Sequence, residues 1–180
     1  MHFVILGLLL TGPLTLYDTQ KRFASGLSHF YSASSGSIER ALRRLVAEGA
    51  AAVEAEPGSA RRRKLYRITP EGRSAWREWM HAPTPPGSDA EKAALAKVFL
   101  LGRLKDHEER AQTVRNIRLE ADAARSRLRS LATEVDAQAA GFDAAARRVF
   151  AYQRATLDYG LRSHDVLIQW LDELEEGLLP

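Results

Sequence analysis

The sequence contains no cysteine. That excludes disulfide scaffolds, thiolate metal sites and cysteine nucleophiles together. Long apolar runs are also missing. The longest, Phe3–Leu10, covers eight residues, well short of the ~20 that a membrane helix needs. No basic segment precedes it and no small-residue cleavage site follows, so a cytoplasmic protein is expected. Histidine is sparse and scattered: His2, His29, His81, His107 and His164 show neither HxxxH nor HxxE spacing, so no metal site is expected. There is no glycine-rich phosphate loop, no G-x-S-x-G elbow and no close carboxylate pair. On these grounds the chain is expected to be neither an enzyme nor the carrier of a cofactor.

What is present is ordinary globular composition, 45% hydrophobic and 27% charged over 180 residues, enough for one large domain or two small ones. The charge is unevenly placed. Residues 1–80 carry 12 Lys and Arg against 7 Asp and Glu, a net of +5, whereas residues 81–180 carry 14 against 16, a net of −2. Arg61, Arg62, Arg63 and Lys64 supply most of the excess. Such asymmetry points to a polyanion-binding front and a different back. The run alone is equally compatible with a solvated loop.

His81-Ala82-Pro83-Thr84-Pro85-Pro86-Gly87-Ser88 cannot continue a helix. It divides the chain into a first unit over 1–81, a linker over 82–89 and a second unit over 90–180. In the first, an apolar helix over Phe3–Leu10 stops at Thr11-Gly12-Pro13. A second helix runs from Thr15 to about Ser25, with Gly26 as its stop. Ser34–Ser37 offer N-cap chemistry for a third, Ser37 to Glu48, closed by Gly49. Ala51–Ala55 and Lys64–Ile68 read as strands around the Pro57-Gly58 turn. Thr69-Pro70 then starts a helix that ends near Met80. After the linker everything reads as helix: Ala90–Leu104, a long helix capped by Asp106, and a last one from Asp143 to Glu176. In the long helix Val114, Ile117, Ala121, Ala124, Leu128, Leu131 and Val135 form an a/d seam. The last helix carries two apolar faces. Phe150, Leu157, Leu161, His164, Ile168 and Leu171 mark one, and Val149, Tyr152, Tyr159, Val166 and Trp170 the other. The second face is expected to mediate homodimerisation, the competing arrangement being a monomeric three-helix bundle.

The third helix carries the functional signal. Ile38, Ala41, Leu42 and Leu45 fall on one face; Ser37, Arg40 and Arg44 fall opposite, with Arg43 on the flank. Its small N-terminal residues Ser34, Ser35, Gly36 and Ser37 allow close approach of a phosphate. A helix fits the major groove of DNA, where arginine is the commonest bidentate reader of guanine. The basic hairpin tip, Arg61–Lys64, stands where a wing would follow phosphates or enter the minor groove. The fold class expected is mainly α: an N-terminal winged helix-turn-helix followed by a helical dimerisation domain.

The sequence here resembles the PadR family of transcriptional regulators. The likeness lies in Ile5-Leu6-Gly7-Leu8-Leu9, Gly12-Pro13-Leu14-Thr15-Leu16-Tyr17-Asp18, Phe30–Ile38, Ala41–Leu45, Glu48-Gly49, Tyr66–Arg73 and Phe99–Asp106. The resemblance implies a homodimer that binds double-stranded DNA at a short inverted repeat, usually as a repressor, and often released by a small-molecule effector. Leu16, Ser35 and the Glu39-Arg40 pair depart from the family's usual glycine, proline and tyrosine–proline. Two readings of Glu39 stay open: an i,i+4 partner of Arg43, or an acceptor for a cytosine amino group. Tyr17 either bonds a phosphate or packs on the third helix. Trp76, Trp79 and Phe99 either line an effector pocket or belong to the core. Two other classes of function remain: an adaptor that uses the winged helix for protein contacts, and a ligand-binding protein without specific DNA recognition.

Overall fold

The structure, a computed structural model, describes residues 1–55, 63–84, 87 and 89–178. It is mainly helical with one small sheet, the class expected from sequence. The elements are α1 (His2–Leu9), β1 (Leu14–Thr15), α2 (Leu16–Gly26), α3 (Ser35–Ala47), β2 (Ala51–Ala55), β3 (Lys64–Ile68), α4 (Pro70–His81), α5 (Ala90–Leu100), a single 3-10 turn (Leu101–Arg103), α6 (His107–Ala139) and α7 (Ala144–Leu178). Two compact units are formed, Met1–Thr113 and Val114–Pro180. The first therefore continues past the proline-rich segment through α5 and the start of α6.

Local chemistry explains most boundaries. Thr15 caps α2 with a full capping box: its hydroxyl accepts from Asp18 N, and the Asp18 carboxylate accepts from Thr15 N. Ser34 caps α3, its hydroxyl accepting from Ser37 N at 3.2 Å, so the helix begins two residues before the expected Ser37. Thr69 caps α4, with Pro70 in the first turn. β2 and β3 have the expected limits, but a third strand joins them. Leu14 and Thr15 pair antiparallel with Tyr66 and Leu65, giving the order β1-β3-β2. After Leu100 the chain tightens into the 3-10 turn, so the helix expected to reach Leu104 stops earlier.

The core of the first unit is built on α1, whose residues Val4–Leu9 are all buried. Phe23 and Leu27 at the end of α2, Ile38, Leu42 and Leu45 of α3, Ile68 of β3, Trp76 and Met80 of α4, and Leu100 of α5 are buried with it. Gly7 makes close packing possible. A Cβ there would lie 2.6 Å from Leu100 Cδ1 and 2.9 Å from Trp76 Nε1.

The second unit is an antiparallel helix pair. Arg115–Glu175, Arg118–Asp172, Arg125–Asp165 and Arg154–Asp136 join α6 to α7, and every step up one helix is matched by an equal step down the other. Val114, Ile117 and Ala121 are buried as the seam predicts, but Leu131 is 45% exposed and its neighbour Ala132 is buried. A straight helix drifts ~20° per heptad against a 3.5-residue repeat, and by the third heptad the buried line has moved on. No helix among the described residues is long and apolar enough to cross a membrane.

Candidate nucleic-acid interface

The candidate surface is organised by α3. Ile38, Ala41, Leu42 and Leu45 are buried, while Arg40, Arg43 and Arg44 are exposed. Ser34, Ser35 and Gly36 are exposed at its N-terminus, and Ser37 is half-buried. The Ser37 hydroxyl donates to Ser34 O at 2.7 Å, which fixes the first turn. One helix face is thus held by the core, and the other presents three guanidiniums and a small-residue end.

The three arginines are not equivalent. Arg43 Nη2 lies 2.5 Å from Glu39 Oε1, and Arg44 Nε lies 2.6 Å from Glu48 Oε1. The first contact realises the i,i+4 reading of Glu39. The Arg44 hydrogen bond holds the Glu48 carboxyl below its ordinary value. Arg40 makes no ion pair among the described residues. Tyr66 on β3 is buried; burial pushes its hydroxyl up, Glu39 adds to this and Arg43 opposes it. The Glu39–Arg43 pair therefore lies toward the sheet side of α3.

Of the expected wing residues, Arg61 and Arg62 lie outside the described residues. Arg63 and Lys64 are exposed at the start of β3. Arg63 acts electrostatically on Asp18, whose carboxyl is held below its ordinary value first by its hydrogen bonds with Thr15. The base of the wing and the start of α2 therefore share one electrostatic neighbourhood. Tyr17, on that same first turn, is 67% exposed, which leaves its hydroxyl accessible.

The other candidates separate. Trp76 is buried in the core with its indole N–H unpartnered. Trp79 stacks on Phe3 at 5.4 Å. It helps line a cleft of about 160 Å³ with Met1, Phe3, Val4, Tyr31, Asp89, Lys92, Ala93 and Ala96. Phe99 is 43% exposed and lies 6.5 Å from Phe30. Val149, Tyr152, Tyr159 and Val166 are exposed along α7, and Trp170 is half-buried.

Lys97 is the residue that sequence reading missed. It is 2% exposed, donates to Ala82 O at the end of α4, and lies 5.6 Å from the Trp79 ring. The signal was its position inside the dense Ala and Leu run of α5, where a lysine has no solvated face to itself.

A buried three-helix core, a solvent-facing third helix with arginines and a following antiparallel hairpin define a winged helix-turn-helix. Residues 5–78 match the model of the Transcriptional regulator PadR-like family. That match runs from α1 into α4, the elements of the winged helix-turn-helix. It is 32% identical over 88 residues to the negative transcriptional regulator PadR of Bacillus subtilis, a match covering 47% of this chain and 48% of that protein. The chain thus spans about half the length of the curated relative it matches. Among solved structures it is similar to B. subtilis PadR in complex with operator DNA, with 22% identity, TM-score 0.46 and 96% of each chain covered. It is also similar to the Vibrio cholerae virulence activator AphA, with 26% identity, TM-score 0.41, and 98% and 96% covered.

Proposed function

We propose that this protein is a sequence-specific DNA-binding transcriptional regulator that binds an inverted-repeat operator as a homodimer, most simply as a repressor. The observation that carries the reading is α3. Its apolar side is locked into the core while Arg40, Arg43 and Arg44 face outward beside an exposed small-residue N-terminus. Bases are read by such a helix, and phosphates by its N-terminus and the wing. The match over residues 5–78 supports the same reading, as does the likeness to the negative transcriptional regulator of B. subtilis.

Homodimerisation rests on α7, which exposes Val149, Tyr152, Tyr159 and Val166 in a helix pair that has little core of its own. Release by a small molecule is the third element of the proposal. The cleft beside Trp79, lined by aromatic rings and by Lys92 and Asp89, is a fitting place for it.

The test is binding of the purified protein to the intergenic duplex upstream of its own coding sequence, with scrambled competitor, at two salt concentrations. Competitor-resistant binding that weakens steeply with salt supports the proposal. Equal competition by scrambled DNA leaves only a basic surface and overturns it.

A further inference from the structure

The recognition helix carries three arginines but also two carboxylates that engage two of them. Arg43 reaches back one turn to Glu39. Arg44 reaches forward one turn to Glu48, toward the C-terminal end of the helix. Arg40 does neither. Helical side chains lean toward the N-terminus, and a Cβ placed on Gly36 would lie 3.5 Å from Arg40 Nη1. The Arg40 guanidinium therefore sits at the small-residue end of α3, the end from which such helices contact base edges.

We propose that Glu39 and Glu48 are specificity-determining residues of this surface: each keeps one arginine of α3 from phosphate, so that sequence reading falls on Arg40. The inference rests on the DNA-binding reading above and adds the division of labour within it. Phosphate contacts carry affinity but no sequence information. An arginine held by an internal carboxylate contributes less to that indiscriminate term. Each carboxylate also repels any backbone that comes near. The two pairs are exposed, Arg43 to 71% and Glu39 to 41%, Arg44 to 64% and Glu48 to 48%, so each carboxylate stands on the solvent-facing surface together with the arginine it holds. Binding to random DNA is thereby kept weak while a guanine presented to Arg40 retains its full effect.

The experiment measures affinity for two fluorescein-labelled duplexes, the upstream intergenic segment and a scrambled version, across a salt series. The proteins compared are the wild type, Glu39→Gln, Glu48→Gln and Arg40→Ala. One additional phosphate contact steepens the salt slope by about 0.9 and raises affinity roughly fivefold near physiological salt. Each glutamine variant is expected to show that gain on the scrambled duplex and a smaller gain on the intergenic one, so that discrimination falls. Arg40→Ala is expected to lose more on the intergenic duplex than on the scrambled one. Unchanged slope and affinity in both glutamine variants overturn the inference while leaving the regulator reading intact. A loss confined to the intergenic duplex in Glu39→Gln means that Glu39 reads a base, which also overturns it. If the wild type binds neither duplex at low salt, the regulator reading fails and the inference falls with it.

Discussion

At the residue scale, two glycines fix where the helix and the sheet of the first unit meet. Gly49, with φ at 73°, turns the chain out of α3 in a conformation that other residues rarely adopt. Gly72, in the first turn of α4, lies against Ala50, the residue between Gly49 and β2. A Cβ there would sit 2.0 Å from Ala50 O. That carbonyl cannot retreat freely, because it accepts from Thr69 N at 3.2 Å, and Thr69 in turn donates to Gly49 O at 2.7 Å. Gly72→Ala is therefore expected to destabilise the fold by ~1–3 kcal/mol, the usual cost of overpacking. Urea denaturation would show it as a lower midpoint at an unchanged slope. An unchanged midpoint would mean that α4 can move off the sheet without cost. The Thr69-Pro70-Glu71-Gly72 string was legible in sequence as a helix start. The reason for its glycine was not, because the clashing atom is a backbone oxygen 22 positions earlier in the chain.

At the element scale, legibility followed how local each cause is. α3 and α4 announce themselves through caps, α2 through the helical spacing of Leu16 and Phe23, and β2 and β3 by flanking the Pro57-Gly58 turn signal. β1 was missed because two residues show no period; Leu14-Thr15 becomes a strand only through pairing with β3. On α3, which side faces out followed from spacing, and so did the closeness of Glu39 to Arg43. Which arginine is left unengaged did not follow, since Glu48 stands just beyond the helix, where helical spacing no longer fixes the contact. The wing makes a prediction of a different kind from that of α3. Lys64 and Arg63 stand exposed at the start of β3, and the basic run continues back through Arg62 and Arg61. Basic residues that follow phosphates change the salt dependence without changing preference. Arg61→Ala combined with Arg62→Ala is expected to reduce the salt slope by ~0.9 for each phosphate contact removed, with similar losses on specific and random duplexes. Salt titrations by anisotropy would check this. If affinity and slope both stayed constant, the wing would lie away from DNA.

At the scale of the whole molecule, the proline-rich segment looked in sequence like the seam between two units, yet α5 packs with what precedes it. Ala94, Ala96 and Leu100 are buried, and Leu100 lies against Gly7 of α1. Prolines record where a helix must stop, not where packing stops. Val114–Pro180 is left as a pair of long helices, and two helices cannot bury both apolar faces of α7. Tyr152, Tyr159 and Val166 recur at seven-residue intervals and are 77%, 74% and 68% exposed, an a/d-like line left uncovered by the described residues. Covering such side chains is worth roughly 1.5–3 kcal/mol each, enough in sum to hold a second copy of the same line. Across a two-fold axis each residue faces itself or its near neighbour, so one substitution acts twice. Tyr152→Glu combined with Tyr159→Glu would set four carboxylates into one shared apolar seam, where like charges desolvate badly and repel. The expected result is a monomer by sedimentation equilibrium with helical content retained, because both positions are already exposed in the single chain. Binding to an inverted repeat should fall far more than binding to a half-site, since the link between two recognition helices is what the substitutions remove. A variant that remained dimeric would move the interface off this face of α7, and the exposed tyrosines would then need another partner.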